Sequence, residues 1–165
     1  KPFKKITYRD AIDYLNDHNM TKEDGSKYTY VDDITDAPER YLCDQLGQGD
    51  PVFLIKFPKE LKSCYMETCD NDLTNSCDLL YPGVGEVIGG SMRINKHSEL
   101  LDGFKRENIN PEPYKFYTDQ LLYGPTPHGG YGLGFERIIM GFLPELVHKV
   151  RGACLFPRFN GRCTP

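Results

Sequence analysis

No stretch of the 165 residues approaches the roughly 18 consecutive apolar residues that a membrane helix requires, which excludes a helical span within them. Positive charge is not in excess either. Twenty Lys and Arg stand against 24 Asp and Glu, for a net charge of −4, which argues against sequence-blind clamping of nucleic acid. There is no Cys-x-x-Cys pair. Cys64, Cys69 and Cys77 are separated by gaps of five and eight, with no His at ligand spacing, a poor match to zinc sites. With Cys43, Cys154 and Cys163 the count is six, a density below that of small disulfide-stapled domains, so reduced cytosolic thiols are expected. Repeats, low-complexity tracts and linkers are absent, and the chain reads as one unit. The opening KPFKKITYRD lacks the apolar run and cleavage site of a signal peptide. Starting on Lys1 rather than Met, the chain reads as a cut piece.

What is present is ordinary for a soluble globular protein: 39% hydrophobic and 27% charged residues. Thr7 and Asp10 form a helix cap, and Tyr8, Ile12 and Leu15 give an apolar stripe ending near Asp17. Residues 22–50, with acidic Asp32, Asp33 and Asp36, read as loop with short strands. The apolar run from Asp50 to Pro58 predicts a buried strand, and Cys64-Tyr65-Met66 another short one. Cys69 to Asp78 reads as a polar turn. CDLLYP and GEVIGGSMRI predict two strands joined by a turn at Gly83 and Gly85. NKHSELLDGFKREN and PEPYKFYTDQLLYG predict two helices divided at Asn110-Pro111. A last helix carries Phe135, Ile138, Ile139 and Phe142 on one face and stops before Pro144. Strands adjacent in sequence point to an α+β fold with an antiparallel sheet.

Two constellations carry chemistry. Gly129, Gly130, Gly132 and Gly134 clear side chains from one surface directly before a helix. Something flat or phosphorylated could approach that backbone and meet the unpaired amides of the helix start. Arg137, one turn in, could stack on a base or pair with a phosphate. The same glycines would equally permit close strand–helix packing, and the spacing alone leaves both readings open. It is not the dinucleotide fingerprint, because no acidic ribose partner follows in a βαβ unit.

The second constellation is Asp78 and Glu86, eight residues apart on neighbouring strands, which a hairpin could bring together. Two such carboxylates suit Mg²⁺ held against a polyphosphate. Singly, Asp78 reads as a turn cap and Arg93 as a surface ion pair. Gly89 and Gly90 clear space beside Glu86, with Arg93 beyond. Residues seven apart on a regular strand face opposite ways, so Glu86 and Arg93 would need a bulge, expected at Gly89-Gly90, to line one pocket.

GYGLGFERII resembles the third signature motif of class II aminoacyl-tRNA synthetases, Gly-x-Gly-x-Gly-x-Glu-Arg, and CDLLYPGVGEVIGGSMRI is similar to the segment before it in the aspartate/asparagine subgroup. APERYLCDQL, VGEVIGGSMRI, YTDQLLYGPTPHGGYGLGFER and CLFPRFNGRCTP narrow the resemblance to the carboxy-terminal part of eukaryotic cytosolic asparaginyl-tRNA synthetases, across residues 1–165.

The resemblance implies part of the class II antiparallel sheet flanked by helices, in a cytoplasmic, homodimeric enzyme with no membrane association. It activates asparagine with ATP to asparaginyl-adenylate, then charges tRNA(Asn). Carried over by position, Glu86 and Asp78 match the Mg²⁺–ATP carboxylates. Gly134, Phe135, Glu136 and Arg137 match the ATP segment. Glu86 and Arg137 are the pair expected to act in catalysis. Arg93 matches the arginine that holds the side-chain amide, with Gly89 and His128 at the amino-acid pocket. Motifs 1 and 2 and the anticodon-binding domain have no counterpart in these residues, so this portion alone is expected to be inactive. The alternative is a shortened paralogue that binds ATP or asparagine without aminoacylation. A sheet edge left bare is expected to self-associate.

Overall fold

The computed structural model describes residues 1–162, Asn71 by its backbone alone. Cys163 and the end of the CLFPRFNGRCTP stretch lie outside the described residues. Strand β1 (Lys4–Thr7) runs straight into helix α1 (Tyr8–Asp17). Thr7 forms the junction because its Oγ1 accepts the Asp10 N–H at 3.1 Å, satisfying an otherwise orphaned amide. Tyr8, Ala11, Ile12 and Leu15 are the buried face, as the stripe predicts.

The region read as loop with short strands, 22–50, holds helix α2 (Asp36–Gly47) and no strand. Asp36 and Glu39 sit in its first turn, where acidic side chains complement the helix N-terminus. Pro38, Leu42 and Cys43 form a thin buried stripe, and Gln48 closes the helix in a left-handed conformation. The acidic clusters masked that stripe.

Strand β2 (Val52–Ile55) is shorter than the run that predicts it, with Val52 and Leu54 buried. Cys64-Tyr65-Met66, expected as a strand, is a turn with one isolated bridge, Met66 to Arg93. Strands β3 (Thr68–Cys69) and β4 (Leu73–Thr74) form a separate two-stranded ribbon within the expected polar turn. Strands β5 (Ser76–Tyr81) and β6 (Gly85–Met92) are the expected hairpin. Gly83 and Gly85 take φ of 71° and 92° at its turn, a region that side chains resist.

Helix α3 (His97–Arg106) buries Leu100, Gly103 and Phe104. The second expected helix breaks into 3₁₀ turns at Glu112–Tyr114 and Asp119–Leu122 around the short helix α4 (Lys115–Thr118). Pro111 and Pro113 crowd its start, and only Thr118 and Leu121 are buried, so no continuous apolar face rewards a longer helix. Strand β7 (Gly129–Leu133) leads into helix α5 (Phe135–Phe142), and helix α6 (Val150–Ala153) follows.

The main sheet has the order β1-β2-β5-β6-β7, antiparallel throughout except for the parallel β1–β2 pair. Helices α1 and α2 cover one face through a core of Tyr8, Leu15, Leu42, Val52, Leu54 and Leu80. On the other face, Ile138 and Met140 of α5 pack near Leu79, Val84 and Val87. The stripe expected on α5 is not a buried face: Phe135 and Phe142 are 66% and 71% exposed. No described helix is long and apolar enough to cross a membrane.

Candidate active site

The site lies where the β5–β6 hairpin meets α2 and the start of α5. Its central row runs straight across four strands, with Leu54, Asp78, Gly89 and Gly132 paired in register. Paired residues share a face, so Asp78 points to the side covered by α1 and α2. One step along, Glu86 pairs with Leu80, because the register shifts between Leu79 and Leu80 and leaves Val87 as the extra residue. That bulge turns Glu86 onto the Asp78 face. The sequence points to Gly89-Gly90 for the bulge; the register places it at Val87 instead, whose side chain is buried with Leu79 and Val84.

On the other side of the central row, Ser91 pairs with both Ser76 and Gly130. The Arg93 guanidinium reaches this row. Its NH1 donates to Ser91 Oγ at 2.7 Å, its NH2 to the Gly130 carbonyl at 3.4 Å, and its Cζ lies 4.7 Å from the Tyr65 ring centroid. A Cβ at Gly130 would sit 3.2 Å from Arg93 NH2. Arg93 and Glu86 therefore occupy one face. The rows that hold them lie two steps apart, roughly 13 Å along the strands, a span suited to an elongated small molecule.

Arg137, in the first turn of α5, donates through NH1 to the Glu86 carbonyl oxygen, with the Glu86 carboxylate 3.9 Å away. Gly134, the residue before α5, lies against the Arg137 side chain, where a Cβ would come within 3.3 Å of it. A cavity of about 520 Å³ is lined by Asp33, Glu39, Lys62, Asp78, Glu86 and Arg137.

The carboxylates are held in distinct ways. A Cβ at Gly89 would fall 2.6 Å from Glu86 Oε1 and 3.4 Å from Asp78 Oδ1, so both acids crowd the gap that this glycine leaves. Asp78 is buried and paired with Lys62 Nζ at 2.7 Å. Burial raises its pKa and Lys62 opposes the rise. Glu39 accepts the Glu86 N–H at 2.9 Å, and burial pushes its pKa up to about 7, with that hydrogen bond opposing. Among the described residues no group of three or more His, Cys, Asp or Glu is arranged for a metal. Magnesium asks for less, since it commonly takes one or two carboxylates with the remainder from water and phosphate. The Glu86–Asp78 pair over Gly89 fits that donor set.

Of the residues singled out from sequence, Glu86, Asp78 and Arg137 line this cavity with Gly89 and Gly134 beside them, while Arg93 lies on the same face farther along the strands and lines a neighbouring cavity with Tyr65 and Phe104. Three do not bring their side chains to either cavity. Phe135 is exposed, Glu136 lies 3.9 Å from Cys154 Sγ, and exposed His128 has its ring Nδ1 3.0 Å from the Thr126 carbonyl. His128 contributes its backbone carbonyl, which accepts the Arg93 N–H at 2.9 Å. Sequence reasoning missed Glu39 and Lys62. Reading α2 as a helix would have exposed Glu39, one turn in and able to reach the sheet. Lys62 had no local signal.

A family model described as tRNA synthetases class II (D, K and N) matches residues 1–160. The cytoplasmic asparagine–tRNA ligase of Homo sapiens is 50% identical over 167 aligned residues, covering 100% of this chain and 30% of that protein. The Entamoeba histolytica asparaginyl-tRNA synthetase in complex with asparaginyl-adenylate superposes with a TM-score of 0.92 at 48% identity, over 100% of this chain and 37% of its own. The Pyrococcus horikoshii asparaginyl-tRNA synthetase complexed with asparaginyl-adenylate gives 0.88 at 35% identity, over 99% of this chain and 36% of its own. The chain thus spans about a third of the length of the relatives it matches. It belongs to the class II tRNA synthetase family of the D, K and N enzymes.

Proposed function

We propose that these residues supply the nucleotide and side-chain half of an asparagine–tRNA ligase site, which joins asparagine to ATP and passes the asparaginyl group to tRNA(Asn). The observation that carries the reading is the common face of Glu86, Arg137 and Arg93. It joins a phosphate-binding end to an amide-binding end across a floor of glycines.

In the reaction, the asparagine carboxylate attacks the α-phosphorus of ATP, the bond to the bridging oxygen breaks, and pyrophosphate leaves. No side chain need act as nucleophile; the protein orients the reactants and offsets charge. Arg137, held by Glu86, presents its remaining N–H groups to the nucleotide phosphates and adenine. Arg93, held by Ser91 and the Gly130 carbonyl, presents donors only, which suits the amide oxygen of asparagine. Gly89, Gly130 and Gly132 let the substrate lie against the sheet. Glu86 and Asp78 would hold Mg²⁺, which supplies charge neutralisation for the polyphosphate when bound. In the full-length protein the site would be cytoplasmic and, by family likeness, part of a homodimer.

Calorimetric titration of the chain with ATP·Mg²⁺ and then asparagine tests the proposal. Saturable binding of both is expected, and binding of neither would overturn it. Asparagine-dependent exchange of pyrophosphate into ATP should be absent from the 165 residues alone, because the transition-state charge lacks donors from upstream. Losing one aligned donor commonly costs on the order of hundredfold. Robust exchange would contradict that part.

A further inference from the structure

Asp78 divides its two oxygens. Oδ2 pairs with Lys62 Nζ at 2.7 Å, while Oδ1 faces the gap over Gly89 that the Glu86 carboxylate also fills. Lys62 is not a loosely held surface lysine. Its side chain is 17% exposed and that of Asp78 is 10%. Its ammonium lies 3.8 Å from the centroid of the Phe57 ring, a cation–π placement that holds it in position. The lysine therefore puts a fixed positive charge beside the carboxylates that fit a divalent cation, and it lines the same cavity as Glu86, Glu39 and Arg137.

Two consequences follow from the charges alone. A buried carboxylate without a partner is costly, so the Lys62 ammonium offsets that cost and holds Asp78 in place. The same ammonium repels a divalent cation and competes with it for Asp78. A metal that arrives with a polyphosphate brings its own negative charge. The phosphates then offer the ammonium an alternative partner, and Asp78 can pass from lysine to metal.

Resting on the metal-site reading above, we infer that Lys62 is a resident counter-cation of Asp78, a positioning residue that suppresses binding of bare divalent metal and favours its entry with nucleotide. The mechanism proposed above makes no use of Lys62.

The test is Mn²⁺ binding to the 165-residue chain, followed by electron paramagnetic resonance without and with ATP, in wild type, Lys62→Met, Asp78→Asn and the double variant. Circular dichroism checks each fold, and Lys62→Gln replaces Lys62→Met if the latter does not fold. Lys62→Met is expected to bind bare Mn²⁺ about tenfold more tightly than wild type. The gain should vanish in the Asp78→Asn background, because it acts through that carboxylate. Unchanged or weaker binding by the lysine variants, with wild type still binding Mn²⁺ in the presence of ATP, overturns this inference and leaves the metal site standing. Failure of wild type to bind Mn²⁺ even with ATP overturns both.

Discussion

Glu39 Oε2 accepts the backbone N–H of Glu86 at 2.9 Å, so a helix residue 47 positions away fixes the strand residue at the centre of the site. Glu39→Ala removes the carboxylate that accepts from that amide and should cost about 1–3 kcal/mol of stability, visible as a lower urea midpoint. Glu39→Gln keeps an acceptor and should lose less than half as much. Equal losses for the two variants would show that the hydrogen bond is not what matters.

Two glycines should respond in opposite ways to alanine. At Gly89 the new Cβ meets the end of the flexible Glu86 side chain at 2.6 Å. The fold should survive while affinity for ATP·Mn²⁺ falls about tenfold, as the carboxylate is pushed aside. At Gly103 the new Cβ meets the Cys64 backbone carbonyl at 2.6 Å, which cannot yield. Gly103→Ala should destabilise by about 1–3 kcal/mol, even though alanine is favoured over glycine in a helix. Thermal melts beside nucleotide titrations separate these outcomes; a stable Gly103→Ala chain would refute the packing account.

The sequence carried the β5–β6 hairpin plainly, because Gly83 and Gly85 mark a turn between two apolar runs and each strand lies beside its partner in the chain. Asp78 and Glu86 were legible as a pair for the same reason. The bulge was misplaced: glycines advertise where a bulge is tolerated, whereas register is set by which side chains reach the core, and Val87 does. Helix α2 stayed hidden because only Pro38, Leu42 and Cys43 mark its buried side among acidic neighbours. Lys62 could not be read at all, since its partner Asp78 is 16 residues away and across a turn.

Cys43 is fully buried, and its thiol is pushed up to about 11, mainly by burial with the Asp44 charge adding. A folded-state value above the ordinary 9.0 means that the fold disfavours the thiolate. This contribution to stability is complete below pH 9 and is lost as pH rises towards 11. Cys43→Ala should show a shallower fall in stability over that range than wild type. Iodoacetamide at pH 8 should modify partly exposed Cys69 and Cys154 well before Cys43. Early labelling of Cys43, read by mass spectrometry, would contradict its burial.

Strand β7 pairs with β6 on one side and, among the described residues, with no strand on the other. Tyr131 and Leu133 on it are 74% and 47% exposed. An apolar free edge invites pairing with a second chain, so sedimentation velocity should show association that grows with concentration. Leu133→Lys should weaken it. A single monomeric species across the concentration range, for wild type and variant alike, would argue that the edge is inert.

The most direct measurement is the affinity of a non-hydrolysable asparaginyl-adenylate analogue for wild type, Arg93→Ala and Arg137→Ala, compared with ATP·Mg²⁺ for the same three chains. If one elongated site runs from Glu86 to Arg93, both variants lose tenfold or more for the analogue, and only Arg137→Ala loses affinity for ATP. Wild-type affinity for the analogue in Arg93→Ala would show that the two arginines do not share a ligand.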